Sequence, residues 1–405
     1  LINFFGGSRK AMSIALLYER SENDENGIKL TAQQLGIDLT FLPFRKISLS
    51  ISKDGFSAKT KGKDYTNIIK DTVVVLNRAQ SKNRRLQASY IMEQLGKKSL
   101  NSSQIEFLCY SKLRTLLNFW KEGIPIPKTV YVPCDSTDTM KNGKEIHNEK
   151  DIAELFQQEI PLTEGIVIKA DAGTHGKMIM LSKNQEELIT NIQETKPSII
   201  NPVGVVAQEL IQKWFYDLRI IVHKEKGKQP VCYPTAMARA GFKDFRTNTF
   251  LGNLVFGAKL PKSIQELAVK CGKTLGKGSE AWIFALDAMV NVKENKQVDD
   301  AYLKAELDKA AKAFTPVQRI KQDDSRLTDF QAWNSKLEKA FQGYRDSEHY
   351  ENIKKIIEES VENNKSALMF HESNSCPEFW ENTRLATGYN VAVPLLKSAQ
   401  SLIDH

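Results

Sequence analysis

Three short apolar runs spaced by helical stretches constrain the first hundred residues most tightly. MSIALLY (residues 12–18) precedes a helical segment reaching Leu35, IDLTFLPF follows Gly36, and TVVVLN (Thr72–Asn77) comes third, before a helix expected over Lys82–Leu95. Such brief apolar runs suit strands buried on both faces, and strands that alternate with helices pair in parallel. The opening segment therefore predicts a small parallel α/β domain. Met12 opens the first clean strand, so residues 1–11 read as an extension.

A chain of 405 residues has room for further domains. Residues 104–123 predict one helix carrying Lys112, closed by Gly123 and Pro125. Strand runs KTVYV, GIVIKAD, MIML and VVAQEL follow, with a helix near Gln185–Thr195. DLRIIVH, VCYPTAMARA, AWIFALDAMV and SALMFHES form a second set, and an amphipathic helix is expected over Ile264–Leu275. Residues 292–366 break this rhythm with two helical stripes. Leu303, Leu307, Ala310, Ala311 and Phe314 make the first, stopped at Pro316; Tyr350, Ile353, Ile357 and Val361 make the second. The expected fold class is α/β, with α+β character in the C-terminal half. Its domains are residues 1–103, 104–211 and 212–405, the last holding a helical insertion over 292–366.

Composition excludes several functions. No apolar run approaches the ~20 residues of a membrane helix. Five cysteines without a CxxC pair read as reduced thiols in a cytoplasmic protein. Six histidines lack ligand spacing, which argues against zinc. The net charge is +8, and the insertion carries none of this surplus. Lys82, Arg84 and Arg85 form the densest basic cluster, yet no long basic run is interleaved with aromatics. A polyanionic small molecule or an acidic protein partner fits the charge; nucleic acid is not expected.

The chemistry concentrates in a few stretches. In HESNSCPEFWEN, Glu372 and Asn374 are two residues apart, so on a strand they share a face. A carboxylate and an amide oxygen suit Mg²⁺, with Mn²⁺ as a substitute, and Asp287 in AWIFALDAMV offers a third oxygen ligand. KADAGTHGKMIML is a strand, a turn bearing Gly173 and Gly176, and a second strand. Glycines there let backbone N–H groups approach a phosphate. Lys169, inside an apolar strand, requires an anionic partner if it points inward. Asp217 and Arg219 share a strand face, and Arg239, Arg246 and Asn248 follow; guanidinium forks suit carboxylates and phosphates. Each feature alone also fits a solvated loop or a surface ion pair. Cys376 reads as a small core residue and His175 as a solvated loop residue.

In this order the motifs resemble the ATP-grasp carboxylate–amine ligases, and more closely their branch of RimK-type glutamate ligases and LysX-type lysine-biosynthesis ligases. The similarity runs through LLYER, VVVLNRAQ, LNSSQIEFLCYSKLRTLLNFWKEGIPIPKTV, GTHG, DLRIIV, FRTN, ESNSCPEF and ATGYNVAVPLL. It implies an ATP-grasp fold in which Lys112 and Lys169 hold the phosphates of ATP, and Gly173, Thr174 and Gly176 lid them. It also implies that Gln208, Glu209 and Leu210 lie at the adenine hinge, with Asp217 among the ATP-binding residues. Asp287, Glu372 and Asn374 would hold one or two Mg²⁺ ions. Arg219, Arg239, Arg246 and Asn248 would face the acyl phosphate and substrate carboxylates. The insertion departs from the family, as does Leu251-Gly252-Asn253, where relatives carry a basic residue before two glycines.

The implied reaction joins a carboxylate to an amino acid through an acyl phosphate, releasing ADP. The carboxylate could belong to an acidic peptide or carrier protein, and homo-oligomers are common among relatives. A peptide-crosslinking ligase of secondary metabolism is the alternative enzyme. A non-catalytic nucleotide- or nucleic-acid-binding protein is the alternative of another class.

Overall fold

The computed structural model describes residues 13–20, 22–133, 148–172, 178–196, 204–247, 252–293 and 295–403. Near the N-terminus lie β1 (Ser13–Tyr18), β2 (Leu39–Pro43), β3 (Ser48–Ser52), β4 (Gly55–Lys59), β5 (Thr72–Arg78) and β6 (Lys98–Leu100). Four of them form a parallel sheet in the order β2-β1-β5-β6, while β3 and β4 make a separate hairpin. β1 and β5 take the inner places because their apolar runs can be buried on both faces. Tyr18 lies level with both Pro43 and Arg78, so the carboxyl ends of β1, β2 and β5 share one edge of the sheet. Helix Asn23–Leu35 stops at Gly36, whose φ of 67° favours a residue without Cβ.

The central sheet contains β7 (Thr129–Val132), β8 (Ile166–Ala170), β9 (Ile179–Ser182) and β10 (Val205–Glu209), antiparallel in the order β7-β10-β8-β9. Helices Glu149–Glu159 and Gln185–Thr195 supply Ile152, Phe156, Leu188 and Ile192 to its core. Residues 210–215 then carry the chain to a third sheet. Its strands are β11 (Tyr216–Lys224), β12 (Val231–Cys232), β13 (Thr235–Ala240), β14 (Leu254–Lys259), β15 (Trp282–Val290) and β16 (Leu368–Asn374). Their order is β14-β13-β11-β15-β16, with β12 attached to β11.

The insertion is three helices, Asp300–Lys321, Phe330–Arg345 and Glu348–Asn363. It packs on β14: Tyr344 donates to Val255 O at 3.3 Å, and Gly257 N–H donates to Tyr350 Oη at 2.8 Å. Its apolar stripes converge in an aromatic nest of Phe256, Phe314, Phe341, Tyr344 and Tyr350.

Several boundaries differ from the sequence expectation. The helix expected over 104–123 is two helices, Ser103–Tyr110 and Lys112–Lys121. Ser111 is extended between them, and its Oγ accepts the Arg114 N–H at 3.0 Å. Lys112 thus opens a helix and is not held mid-helix. Pro316 does not end its helix, which runs on to Lys321. The proline lies on the exposed side, while Phe314 and Val317 remain buried on the other side. VCYPTAMARA is split at Tyr233-Pro234, because proline cannot donate to a ladder. The β3–β4 hairpin, β6 and β14 were not anticipated. No helix among the described residues is long and apolar enough to cross a membrane.

Candidate active site

One face of the third sheet carries a row of opposite charges. The β11 register sets Asp217 opposite Arg239 and Arg219 opposite Asp287; Asp287 in turn lies opposite Glu372. Residues directly opposite share a face, so these five side chains project together. Arg219 grips Asp287 through Nε and Nη2, each at 2.9 Å. Arg239 grips Asp217 at 2.6 and 3.0 Å and also reaches Asp287 Oδ2 at 3.3 Å. Burial pushes the Asp287 carboxyl up, and the two guanidiniums more than reverse this, leaving it well below the usual carboxylate range.

β16 brings Glu372 and Asn374 to that face, while Ser373 and Ser375 turn the other way to Thr115 and Glu106. Asn374 Oδ1 accepts the Cys376 N–H at 3.0 Å, which fixes the amide as the strand ends. His371 is the extra residue of a bulge opposite Asp287–Ala288, so it and Glu372 do not simply alternate. Burial, then Lys169, depresses the His371 pKa to about 4, so the ring is neutral near pH 7.

Lysines enter from two helix starts, from β8 and from the connection before β11. Lys82 Nζ lies 3.6 Å and Lys112 Nζ 3.7 Å from Glu372 Oε1. Burial opposes ionisation of Glu372, but Lys112 and Lys82 prevail and hold its pKa at about 2. Lys112 also donates to Ala170 O at 3.3 Å. Its helix is fixed to the end of β8 by Asp171, whose Oδ1 accepts the Leu113 N–H at 2.8 Å. Lys169 on β8 is 5% exposed and donates to Gln208 Oε1. Its hydrogen-bond partner within the protein is thus a neutral amide. Burial lowers the Lys169 pKa to about 8, and the pull of Glu372 offsets this only in part. Lys213, on the crossing into β11, donates to Thr247 Oγ1 at 2.6 Å and lies 3.9 Å from Asp217.

The other candidates fall as follows. Gln208 and Glu209 end β10 and Leu210 follows, where the chain passes between the two antiparallel sheets. Gln208 also donates to Thr129 Oγ1 at 2.9 Å, and Glu209 accepts the Lys128 N–H at 2.8 Å. Arg246 pairs with Asp244 at 2.7 Å and reaches Ile179 O of the central sheet at 3.5 Å. Gly173, Thr174, Gly176 and Asn248 lie outside the described residues. Sequence reasoning did not assign Lys82, Asp171, Lys213 or His371. All four sit beside motifs it had singled out, but only the fold shows which way they point.

A model of the RimK-like ATP-grasp domain matches residues 137–309. The chain carries a RimK-like ATP-grasp domain. It is 27% identical over 215 residues to the alpha-aminoadipate–LysW ligase LysX of Saccharolobus solfataricus, covering 53% of this chain and 69% of that one. It is 28% identical over 202 residues to the coenzyme gamma-F420-2:alpha-L-glutamate ligase of Methanocaldococcus jannaschii, covering 49% and 59% respectively. The structure of the ATP-grasp ligase PsnB with minimal precursor, Mg and ADP superposes with a TM-score of 0.52 at 10% identity. That likeness covers 96% of this chain and 97% of PsnB, so the ATP-grasp fold spans nearly the whole molecule. The chain is thus similar to ATP-dependent carboxylate–amine ligases of the ATP-grasp type.

Proposed function

We propose that this RimK/LysX-like protein joins an amino acid to a carboxylate carried on an acidic peptide or carrier protein, through an acyl phosphate. The observation that carries the reading is a charge imbalance. Among the described residues, six cations, Lys82, Lys112, Lys169, Lys213, Arg219 and Arg239, gather around Asp217, Asp287 and Glu372, with Asp244 near Lys213 and Glu378 near Arg219. A buried cluster in which cations outnumber carboxylates favours an anionic ligand. A nucleoside triphosphate meets that demand. LysX acts on aminoadipate and LysW, and the methanogen enzyme is a glutamate ligase; both relatives support an amino-acid substrate here.

The donor set also fits a hard cation. Asp287, Glu372 and Asn374 offer oxygen only, and among the described residues no three acidic, histidine or cysteine side chains form a cage of their own. Asp287, Glu372 and Asn374 would hold Mg²⁺, with phosphate and water completing its shell. When bound, the ion neutralises phosphate charge and polarises the γ-phosphoryl group.

The chain's own residues do the rest. Lys112 and Lys169 hold the phosphates and stabilise charge on the transferring group. Lys82, at the start of the helix after β5, meets Glu372 and orients the substrate carboxylate toward the γ-phosphorus. That carboxylate attacks and ADP departs. An amine then attacks the acyl carbon, phosphate leaves, and the amine gives up a proton. Arg219 and Arg239 stabilise the oxyanion formed at the carbonyl.

The insertion serves the acceptor side. It supports the segment after β16: Trp380 Nε1 donates to Asn334 at 2.9 Å, and Lys321 donates to Asn382. Gly27 of the N-terminal domain allows this contact, because a Cβ there would lie 2.1 Å from the Trp380 ring.

The test is ADP release across the amino acids, with and without acidic peptides ending in glutamate. Release stimulated by one amino acid, with a matching mass increase of the peptide, supports the reading. Bound ATP with no amino-acid-dependent product in any arm sinks it.

A further inference from the structure

The β3–β4 hairpin is absent from the catalytic argument, yet it has the marks of a peptide-binding edge. β3 pairs only with β4 among the described residues. The far side of β4 is already occupied by the Lys59–Asp64 bridge and by Tyr65 N–H donating to Ala58 O at 2.8 Å. One edge of the hairpin, along β3, is therefore open.

The side chains of β3 add a second observation. Leu49 lies opposite Ala58 and Ile51 opposite Phe56, so all four share the face turned toward the domain core. Ala58 is fully buried and packs with Leu42, Ile69 and Val75. Leu49 and Ile51 overhang that core and are 39% and 75% exposed. Edge strands are usually protected by charges along their own length. β3 has none: its sequence is Ser-Leu-Ser-Ile-Ser.

Charge gathers at the ends of the strand instead. Residues 44–71 contain seven basic and three acidic residues, a surplus of four in a chain whose whole surplus is eight. Arg45, Lys46, Lys53, Lys59, Lys61, Lys63 and Lys70 are all exposed. An open edge, an apolar overhang and flanking cations together suit an extended chain with alternating acidic and apolar residues. The hairpin follows the carboxyl end of β2, level with Arg78, and Lys82 opens the helix after β5 at that same edge. A chain lying along β3 thus has one end at the side of the sheet that faces Glu372.

We propose that β3 docks an acidic peptide segment of the carboxylate substrate by strand addition, with Leu49 and Ile51 receiving its apolar side chains. The proposal rests on the ligase reading for the identity of that substrate, but its test does not. The full chain, without nucleotide, is titrated against a fluorescein-labelled dodecapeptide alternating Glu with Val and ending in Glu. Fluorescence anisotropy is read at low and high salt. Parallel arms use a peptide with Lys in place of Glu, an oligo-dT of matched length, and the Ile51→Asp and Leu49→Asp variants with unchanged circular dichroism.

The expected result is binding of the acidic peptide alone, weakened by salt and about tenfold weaker in either variant. Equal affinity in both variants overturns the proposal. Stronger binding of the oligonucleotide also overturns it and marks the hairpin as a nucleic-acid surface. Failure of the ligase reading is seen separately. A chain that binds the peptide but never forms an amide keeps the docking site and loses the reaction. A chain that ligates the peptide equally well with Ile51→Asp does the reverse.

Discussion

Lys169→Met separates what the active site costs the fold from what it gives the ligand. The Lys169 pKa falls from 10.5 to about 8, chiefly by burial. A lysine whose folded pKa is depressed destabilises the native state below the folded value. The cost fades as pH rises toward the unfolded value, because the unfolded chain then holds the extra proton. The full shift corresponds to ~3 kcal/mol at about pH 7 and ~1 kcal/mol at about pH 9.5. Methionine removes the charge and keeps the length, but leaves Gln208 Oε1 without its lysine donor at a cost of ~1–3 kcal/mol. That second cost is independent of pH.

Urea unfolding of both proteins at the two pH values should therefore show the variant's relative stability falling by ~2 kcal/mol between about pH 7 and about pH 9.5. Lys82 and Lys213, whose pKa values also fall to about 8, titrate in both proteins and largely cancel in the difference. ATP binding should move the other way, weakening by ~2–5 kcal/mol, or at least about thirtyfold, in calorimetric titration. A stability difference flat in pH would mean that Lys169 is not a strained cation. Unchanged ATP affinity would remove it from the phosphate site.

Three further outcomes follow from the same contacts. Glu372→Gln should lower Mg²⁺-dependent ADP formation by more than about a hundredfold while ATP affinity changes only severalfold, since an amide poorly replaces a carboxylate ligand; near-normal turnover would mean the cation is held elsewhere. Trp333→Ala should cost ~3–5 kcal/mol in thermal or urea unfolding, because the ring is fully buried and its Nε1 donates to Ile320 O at 2.8 Å; a loss below about 1 kcal/mol would mean the insertion core repacks easily. Replacing residues 295–364 with a Gly/Ser linker should expose β14, whose Val255 and Gly257 are bonded to Tyr344 and Tyr350. An insoluble or partly unfolded chain is expected by circular dichroism, and a soluble variant with native melting would show that the third sheet stands without the insertion.

The parts legible in the sequence were those whose signal is local. The apolar runs of β1 and β5 indicated a parallel sheet because only strands covered on both faces need such runs. The two-residue spacing of Glu372 and Asn374, and of Asp217 and Arg219, fixed a shared face before any neighbour was known. What failed was nonlocal or depended on solvent. Pro316 reads as a helix stop until its exposed side is seen, and Ser111 reads as mid-helix until its cap to Arg114 is seen.

Lys82 is the clearest case of missing information. In sequence it is one of three basic residues near the start of a helix, and nothing in that helix distinguishes it from Arg84. The fold separates them: Arg84 turns to Glu19, whereas Lys82 crosses to a carboxylate 290 positions later, at 3.6 Å. The packing of the helices opened by Lys82 and Lys112 around Glu372 decides this, and it appears only when β16 is paired against β15. A charge pattern along the chain can therefore indicate that a polyanion is wanted, while the identity of the cations that meet it is set by contacts between elements far apart in sequence.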